Sequence, residues 1–375
     1  MKIVILGPAH PYRGGLASIM ETMAREYQRR GDEVKIYTFS LQYPSLLFPG
    51  KTQTVDTPAP DDLYIERCVN TCNPFNWIRI GQRICRERPD MVLMKYWTPF
   101  MAPCFGTIAR LARRNGTTKV VCQIDNVEPH EHHLTDHIFN RYYLGAVDAF
   151  VHMSEQVYGE LRHYTQAPSI FSPHPMFTNF GERVSRVEAC EKLGIDSSKR
   201  YILYFGLIRQ YKGLDILLEA WQRVDLPDVR LIVAGEFYDD REHYDKLIDE
   251  LGDRVVLHDH FVADEDVRYY FSAADLLVLP YRTATQSGVT QIAYNFSLPM
   301  IVTNVGGLPE IVKDDVVGVV CEPDAASVAS AIEGVYVNGN LERFCSNFEE
   351  ERKRFSWEAM CDALMQAYEE CLSKP

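Results

Sequence analysis

The feature that most constrains this chain is an alternation that runs from one end to the other. Short apolar runs of strand length recur at Ile3–Leu6, Val34–Thr38, Met91–Lys95, Lys119–Ile124 and Ala149–His152. A second series follows at Tyr201–Phe205, Arg230–Ala234, Val255–His258, Leu276–Pro280, Met300–Thr303 and Val317–Val320. Amphipathic segments such as Ala17–Arg30 and Leu214–Arg223 separate them. Runs rich in β-branched residues, without strict alternation, suit parallel strands buried on both faces. Parallel strands joined through a helix form right-handed crossovers. Two such series predict an α/β chain of two doubly wound domains.

A length of 375 residues fits two domains. With 46% apolar and 24% charged residues the composition is that of a globular protein and excludes a disordered chain. The net charge of −13 argues against a nucleic-acid partner. That charge is unevenly spread: residues 1–170 carry 19 basic and 17 acidic side chains, residues 171–375 carry 20 and 35. The two halves are expected to meet different partners. Ser172-Pro173-His174-Pro175 is incompatible with a helix interior, and turn formers continue to Arg186. The expected division is a first domain over 1–170, a linker and hinge over 171–199, a second domain over 200–355 and a final helix over 356–375, N-capped by Ser356. Ile3–Leu6 is too short for a signal-peptide core, and no run reaches spanning length, so a cytoplasmic location is expected. The ten scattered cysteines read as free thiols.

Ligands of doubly wound sheets bind beyond the carboxyl ends of the strands, which singles out four loops. The first carries Gly14-Gly15 before a helix, where backbone N–H groups can meet an anion. It lacks the G-x-G-x-x-G spacing, which argues against a nicotinamide enzyme. The second runs Asp125-Asn126-Val127-Glu128-Pro129-His130-Glu131-His132-His133, with His137 following. Four histidines so close suggest a metal site, but no HExxH pattern is present; substrate contact by Asn126, His130 or Glu131 is the favoured reading and no metal is expected. In the third, Arg209 and Lys212 flank the turn from Gly206 to Gly213, a spacing suited to clamping a diphosphate. The fourth, Gln286-Ser287-Gly288-Val289-Thr290-Gln291, is small and hydroxyl-rich and leads into a helix.

Together these loops resemble family-4 retaining glycosyltransferases of the GT-B fold. The resemblance rests on Gly14-Gly15, on Arg29-Arg30-Gly31-Asp32-Glu33-Val34, and on Phe205-Gly206-Leu207-Ile208-Arg209-Gln210-Tyr211-Lys212-Gly213, which is similar to the family's G-x-x-x-x-x-K-G motif. Ala274–Pro280 and Pro299–Glu310 complete it. It implies two Rossmann-like domains facing a central cleft, with the C-terminal helix crossing back to the N-terminal domain. It implies an acceptor-binding first domain, a nucleotide-sugar-binding second one, and diphosphate binding by Arg209 and Lys212. Two departures stand out. The family's paired glutamates fall on Ala284 and Ile292, or within one residue of them, with Gln286 and Gln291 as the nearest polar residues, and Asp125 stands where relatives often have a histidine.

The expected activity is transfer of a sugar from a nucleoside diphosphate sugar to an acceptor hydroxyl, with retained configuration and without a metal or other cofactor. Arg209, Lys212 and His130 are the candidate catalytic residues. Gly14, Gly15, Asp125, Asn126, Glu131, Gln286, Ser287, Gly288, Val289, Thr290 and Gln291 are the candidate donor-binding residues. The expected acceptor is a glycan or lipid-linked glycan of bacterial surface polysaccharide or glycolipid synthesis. Arg79, Arg83, Arg86 and Arg88, with Arg110, Arg113, Arg114 and Lys119, suggest contact with the inner face of a membrane, with Trp77, Phe105, Ile108 and Leu111 dipping into it. The alternatives are a non-catalytic, glycosyltransferase-like binding subunit, a nucleotide-sugar epimerase or hydrolase of the same fold, and a metal hydrolase built on the histidines.

Overall fold

Branched apolar residues build two all-parallel sheets. The computed structural model describes residues 1–12, 15–44, 54, 58–127, 135–176, 180–238, 241–284 and 287–373. Among these, the first sheet has the order β3-β2-β1-β4-β5-β6-β7. Its strands are β1 Lys2–Leu6, β2 Glu33–Leu41, β3 Ile65–Asn70, β4 Met91–Tyr96, β5 Lys119–Ile124, β6 Ala149–His152 and β7 Ser169–Phe171. The second sheet has the order β10-β9-β8-β11-β12-β13. Its strands are β8 Arg200–Phe205, β9 Val229–Ala234, β10 Val255–His258, β11 Leu276–Leu279, β12 Met300–Thr303 and β13 Gly318–Cys321.

Successive side chains of β1 go to opposite faces of the sheet. Ile3 and Ile5 join one core with Met20, Met23 and Leu364; Val4 and Leu6 join another with Phe105, Ile108 and Tyr143. In each sheet the direction of winding reverses beside the first strand, between β1 and β4 and between β8 and β11. The crevices at these two reversals are where ligands of such sheets bind.

The chain divides into two compact units. The first comprises Met1–Pro173 with Trp357–Pro375, and the second His174–Ser356. The helix Trp357–Ser373 completes the first unit. Its Met360, Leu364 and Ala367 pack with Val121 and Val151, Arg30 pairs with Asp362 at 2.7 Å, and the Tyr27 hydroxyl donates to the Cys361 carbonyl. The stretch 171–199, read from its turn formers as linker, is largely part of the second unit. Ser185 caps a helix over Arg186–Leu193 by accepting from the Glu188 N–H, and Arg186 pairs with Asp275 at 2.7 Å. Asp275 also accepts from the Tyr201 N–H at the start of β8. All ten cysteines are free.

The basic segments of the first unit are only partly a free face. Arg83 is held by Glu66 and Glu87, Arg113 pairs with Asp148 at 2.7 Å, and Arg110 lies over the Tyr142 ring at 4.0 Å. Phe105 and Ile108 are buried in the core, and the Trp77 indole donates to the Asn70 carbonyl. Of the apolar residues expected to dip into a membrane, Trp77, Phe105 and Ile108 are therefore structural, and Leu111 lines a groove with Arg86 and Arg114. Phe75 and Ile78 are exposed instead.

Candidate functional site

Two cations of the second unit, Arg209 and Lys212, follow the carboxyl end of β8. The Gly206 N–H donates to the Ala234 carbonyl, ending the ladder, and φ at Gly206 is +106°. A side chain there would be strained by its backbone and crowded. Its Cβ would lie 3.2 Å from Lys212 Nζ and 3.6 Å from Val289 Cγ2. The glycine thus lets the ammonium sit against the main chain at the end of β8, beside the first turn of the helix Gly288–Asn295.

The loop is braced on both sides. The Ile208 N–H donates to the Glu236 carbonyl at 2.8 Å and the Tyr238 N–H to the Ile208 carbonyl at 3.0 Å, extending the β8–β9 pairing by one bridge. This sets the Arg209 guanidinium 5.1 Å from the centre of the Tyr238 ring. Lys212 closes a 3-10 turn over Gln210–Lys212, with its ammonium 5.6 Å from the Tyr281 ring centre. On the other side Arg282 donates to both Asp215 oxygens, at 2.8 and 2.6 Å, and to the Gln210 carbonyl at 3.0 Å. Arg282 is therefore neutralised and structural. Among the described residues neither Arg209 nor Lys212 is in an ion pair. Burial, and then the neighbouring Arg209, lower the Lys212 pKa below its ordinary value. Two cations held close together outside any ion pair suit an anionic ligand.

The helix after β11 contributes less through its side chains than its hydroxyls suggest. Ser287 is buried, with its hydroxyl 3.3 Å from that of Tyr281. Thr290 is fully buried and donates to the Ser287 carbonyl at 2.6 Å, so it caps its own helix. Gln291 is 2% exposed, and neither atom of its amide has a hydrogen-bond partner. Among the described members of the set, Gly288 is exposed and Val289 partly so. Next to them lies a cavity of about 180 Å³ in the second unit, walled by Phe205, Gly206, Glu236, Phe261, Val267 and Ile292. Ile292 gives this cavity an apolar wall.

At the corresponding edge of the first unit, the loop after β1 is anchored by two bonds. The Ala9 N–H donates to Thr38 Oγ1 and the His10 N–H to Glu21 Oε1. Gly15 opens the helix Gly15–Arg29 and is exposed. Asp125 follows β5 and accepts from Lys95 Nζ at 2.7 Å, while Asn126 is exposed. Lys95 is wholly buried. Sequence reasoning passed over it, although a lysine closing the run Met91-Val92-Leu93-Met94 was a signal. It also passed over Asp215 and Glu236. Gly14, His130, Glu131 and Gln286 lie outside the described residues, as do His132 and His133. Among the described residues no group of three or more His, Cys, Asp or Glu can hold a metal. His137 instead meets the Tyr164 hydroxyl through Nδ1 at 3.0 Å.

Comparison with known proteins agrees with this geometry. Residues 199–338 match the family model "Glycosyl transferases group 1". An uncharacterized glycosyltransferase of Methanocaldococcus jannaschii is 25% identical over 181 residues, 47% of this chain and 46% of that protein. A D-inositol 3-phosphate glycosyltransferase of Mycobacterium marinum is 31% identical over 198 residues, 49% of this chain and 41% of that protein. The matches thus span about half the length of the curated relatives, or less. Sucrose-phosphate synthase from Thermosynechococcus elongatus superposes with a TM-score of 0.66 at 18% identity, covering 99% of both chains. Anabaena HepE in complex with UDP and glucose does so at 0.64 and 16%, covering 98% of both. Residues 199–338 are thus similar to the glycosyl transferases group 1 family, and the fold is GT-B, built of two Rossmann-like units.

Proposed function

We propose that the protein transfers a sugar from a nucleoside diphosphate sugar to an acceptor hydroxyl, with retained configuration. The observation that carries this reading is the pair Arg209 and Lys212, both outside any ion pair among the described residues, beside Gly206 and the helix Gly288–Asn295. HepE, of similar fold, is a protein in complex with UDP, which agrees with a diphosphate on these cations. The bond from the anomeric carbon to the β-phosphate oxygen breaks, and negative charge grows on that phosphate. Arg209, Lys212 and the backbone N–H groups at Gly288 and Val289 offset it, an electrostatic role typically worth about a hundredfold or more in rate for one contact. The acceptor oxygen attacks from the same face, and its proton passes to the departing phosphate. The two cations supply the charge that a divalent metal provides elsewhere, so transfer is expected to survive excess chelator.

On the acceptor side we propose a glycan or lipid-linked glycan of bacterial surface polysaccharide or glycolipid synthesis, met at the inner face of an anionic membrane. The helix Pro74–Glu87 supports this. Phe75 (84% exposed), Ile78, Arg79, Gln82 and Arg86 share its outer face, Phe75 lying three and four residues before Ile78 and Arg79, with Arg114 beside Gln82 and Arg86 in a groove. From Thr71 to Lys119 the only acidic residues are Glu87, bound by Arg83 and Tyr37, and Asp90, bound by the Lys2 N–H. No helix among the described residues is long and apolar enough to cross a membrane.

The test is a panel of nucleotide sugars scored for a rise in melting temperature, followed by turnover with the stabilising donor. Stabilisation with transfer supports the reading. Stabilisation without transfer or hydrolysis turns it into a binding subunit, and no stabilisation by any donor refutes it.

A further inference from the structure

The second unit places one carboxylate where the diphosphate clamp has no use for it. Glu236 follows the end of β9, and its carbonyl is bonded to the Ile208 N–H. The residue is half-buried and lines the cavity shared with Gly206, Phe261 and Ile292. Gly206 is also the residue against which the Lys212 ammonium rests, so the cavity opens beside the two cations. Tyr238 links the two features. Its ring lies under the Arg209 guanidinium, and a hydrogen bond to Glu236 raises its phenol pKa.

A carboxylate turned towards a diphosphate repels it, so its ligand must be a group that donates. In a nucleoside diphosphate the vicinal hydroxyls of the ribose lie between the base and the phosphates, and both donate. A carboxylate accepts two such bonds at once. An acid at the end of the second strand of a doubly wound sheet is a recurrent way to hold a ribose hydroxyl, and β9 is the second strand of this unit. The apolar walls Phe205, Phe261, Val267 and Ile292 then suit a base. We propose that Glu236 holds the ribose diol of the nucleoside diphosphate and so makes this protein select ribonucleotides. The proposal rests on the nucleotide-donor reading above and adds to it the residue that distinguishes the sugar of the nucleotide.

The experiment is calorimetric titration of the full chain with UDP, ADP and GDP and with their 2′-deoxy and 3′-deoxy counterparts. Wild type, Glu236→Gln, Glu236→Ala and Arg209→Ala are compared, each checked for an unchanged melting temperature. Wild type is expected to bind the preferred ribonucleotide about tenfold or more tighter than either deoxy form, the usual scale for a hydrogen bond to a charged group. Glu236→Ala is expected to bind ribo and deoxy forms alike, at the wild-type deoxy affinity, and Glu236→Gln to fall between. Arg209→Ala is expected to weaken both forms and leave their ratio unchanged. A ribo-to-deoxy ratio that survives Glu236→Ala overturns the proposal. So does a change in the ranking of the bases without a change in that ratio, which would assign Glu236 to the base. If no nucleoside diphosphate binds wild type, the donor reading fails as well, and the two failures are thereby told apart.

Discussion

Alanine at position 213 is expected to destabilise the second unit by about 2–5 kcal/mol. Gly213 has φ +64° and ψ +32°. An alanine held there costs about 1–2 kcal/mol from its backbone alone. Its Cβ would stand 2.1 Å from the Pro280 carbonyl oxygen and 3.2 Å from Ile216 Cδ1. The main chain has to give way at the first of these contacts, and forced overpacking adds typically about 1–3 kcal/mol. Gly194 is the matched control. Its φ is +68° and ψ +30°, but an added Cβ meets nothing within 4 Å. It should lose only the backbone part. For a unit of this size each kcal/mol moves the melting temperature by about 2–4 °C. Thermal unfolding followed by circular dichroism should therefore show a drop of about 5–15 °C for Gly213→Ala and a few degrees for Gly194→Ala. Because Gly213 follows Lys212, the first variant should also lose affinity for nucleoside diphosphates and the second should not. Equal melting temperatures for the two variants would refute the steric reasoning, since their backbone conformations are the same.

Arg209→Ala and Lys212→Ala should each cut turnover about a hundredfold while leaving the KM for acceptor nearly unchanged; steady-state kinetics showing near wild-type turnover would remove them from the diphosphate site. The Lys212 ammonium is disfavoured by burial and by Arg209, so its protonated fraction falls at a lower pH than that of an ordinary lysine. Affinity for a nucleoside diphosphate should accordingly decline as pH rises, beginning below the usual lysine range, and Lys212→Arg should move that decline upward; titrations from neutral to alkaline pH that superpose for the two proteins would contradict this. Asp125→Asn should cost about 3–5 kcal/mol because it strands a fully buried ammonium, whereas Lys95→Met leaves a carboxylate that reaches water and should cost less. Urea unfolding measures both, and the double variant should regain most of the loss. Sedimentation with anionic liposomes at low salt should be lost when Phe75 becomes Ser and Arg79, Arg86 and Arg114 become Glu; unchanged pelleting, or none by the wild type, would leave a soluble acceptor as the better account.

The sheets were legible except at the edges of the first, where β3 and β7 were not read; the edge strands β10 and β13 of the second were. A buried parallel strand must be apolar on both faces, and β1, β4, β5, β8 and β9 stand out accordingly. β3 at Ile65–Asn70 mixes Glu66 and Arg67 into an edge position, and β7 is three residues long. The helix Arg186–Leu193 was hidden because only Ala189 and Cys190 are buried, too few to impose a period. Arg209 and Lys212 were legible because both lie in one continuous turn between two glycines. Lys95 with Asp125, and Glu236 with Ile292, were not. Each pair joins residues on different strands or on a strand end and a helix, and their meeting depends on register and crossover, which local pattern does not encode. Ser287 and Thr290 drew attention as part of a hydroxyl-rich run at a helix start; a helix start has its own groups to satisfy, and the Thr290 hydroxyl is spent on the Ser287 carbonyl.

The helix Trp357–Ser373 reverses the usual order in which a nascent chain matures. Domains generally fold as they emerge, the earliest first. Here residues 1–173 emerge with part of one sheet face open, since the side chains that cover Val121 and Val151 come from Met360, Leu364 and Ala367, while Met20 and Met23 already cover Ile3 and Ile5. Translation must first traverse the whole of the second unit, on the order of ten seconds or more at typical speeds. The second unit, continuous in sequence, is complete by then. The earlier-made half therefore spends that interval with an apolar surface that invites a chaperone or a neighbouring nascent chain, and a ribosome stalled before Trp357 leaves the later-made half intact and the earlier one unfinished.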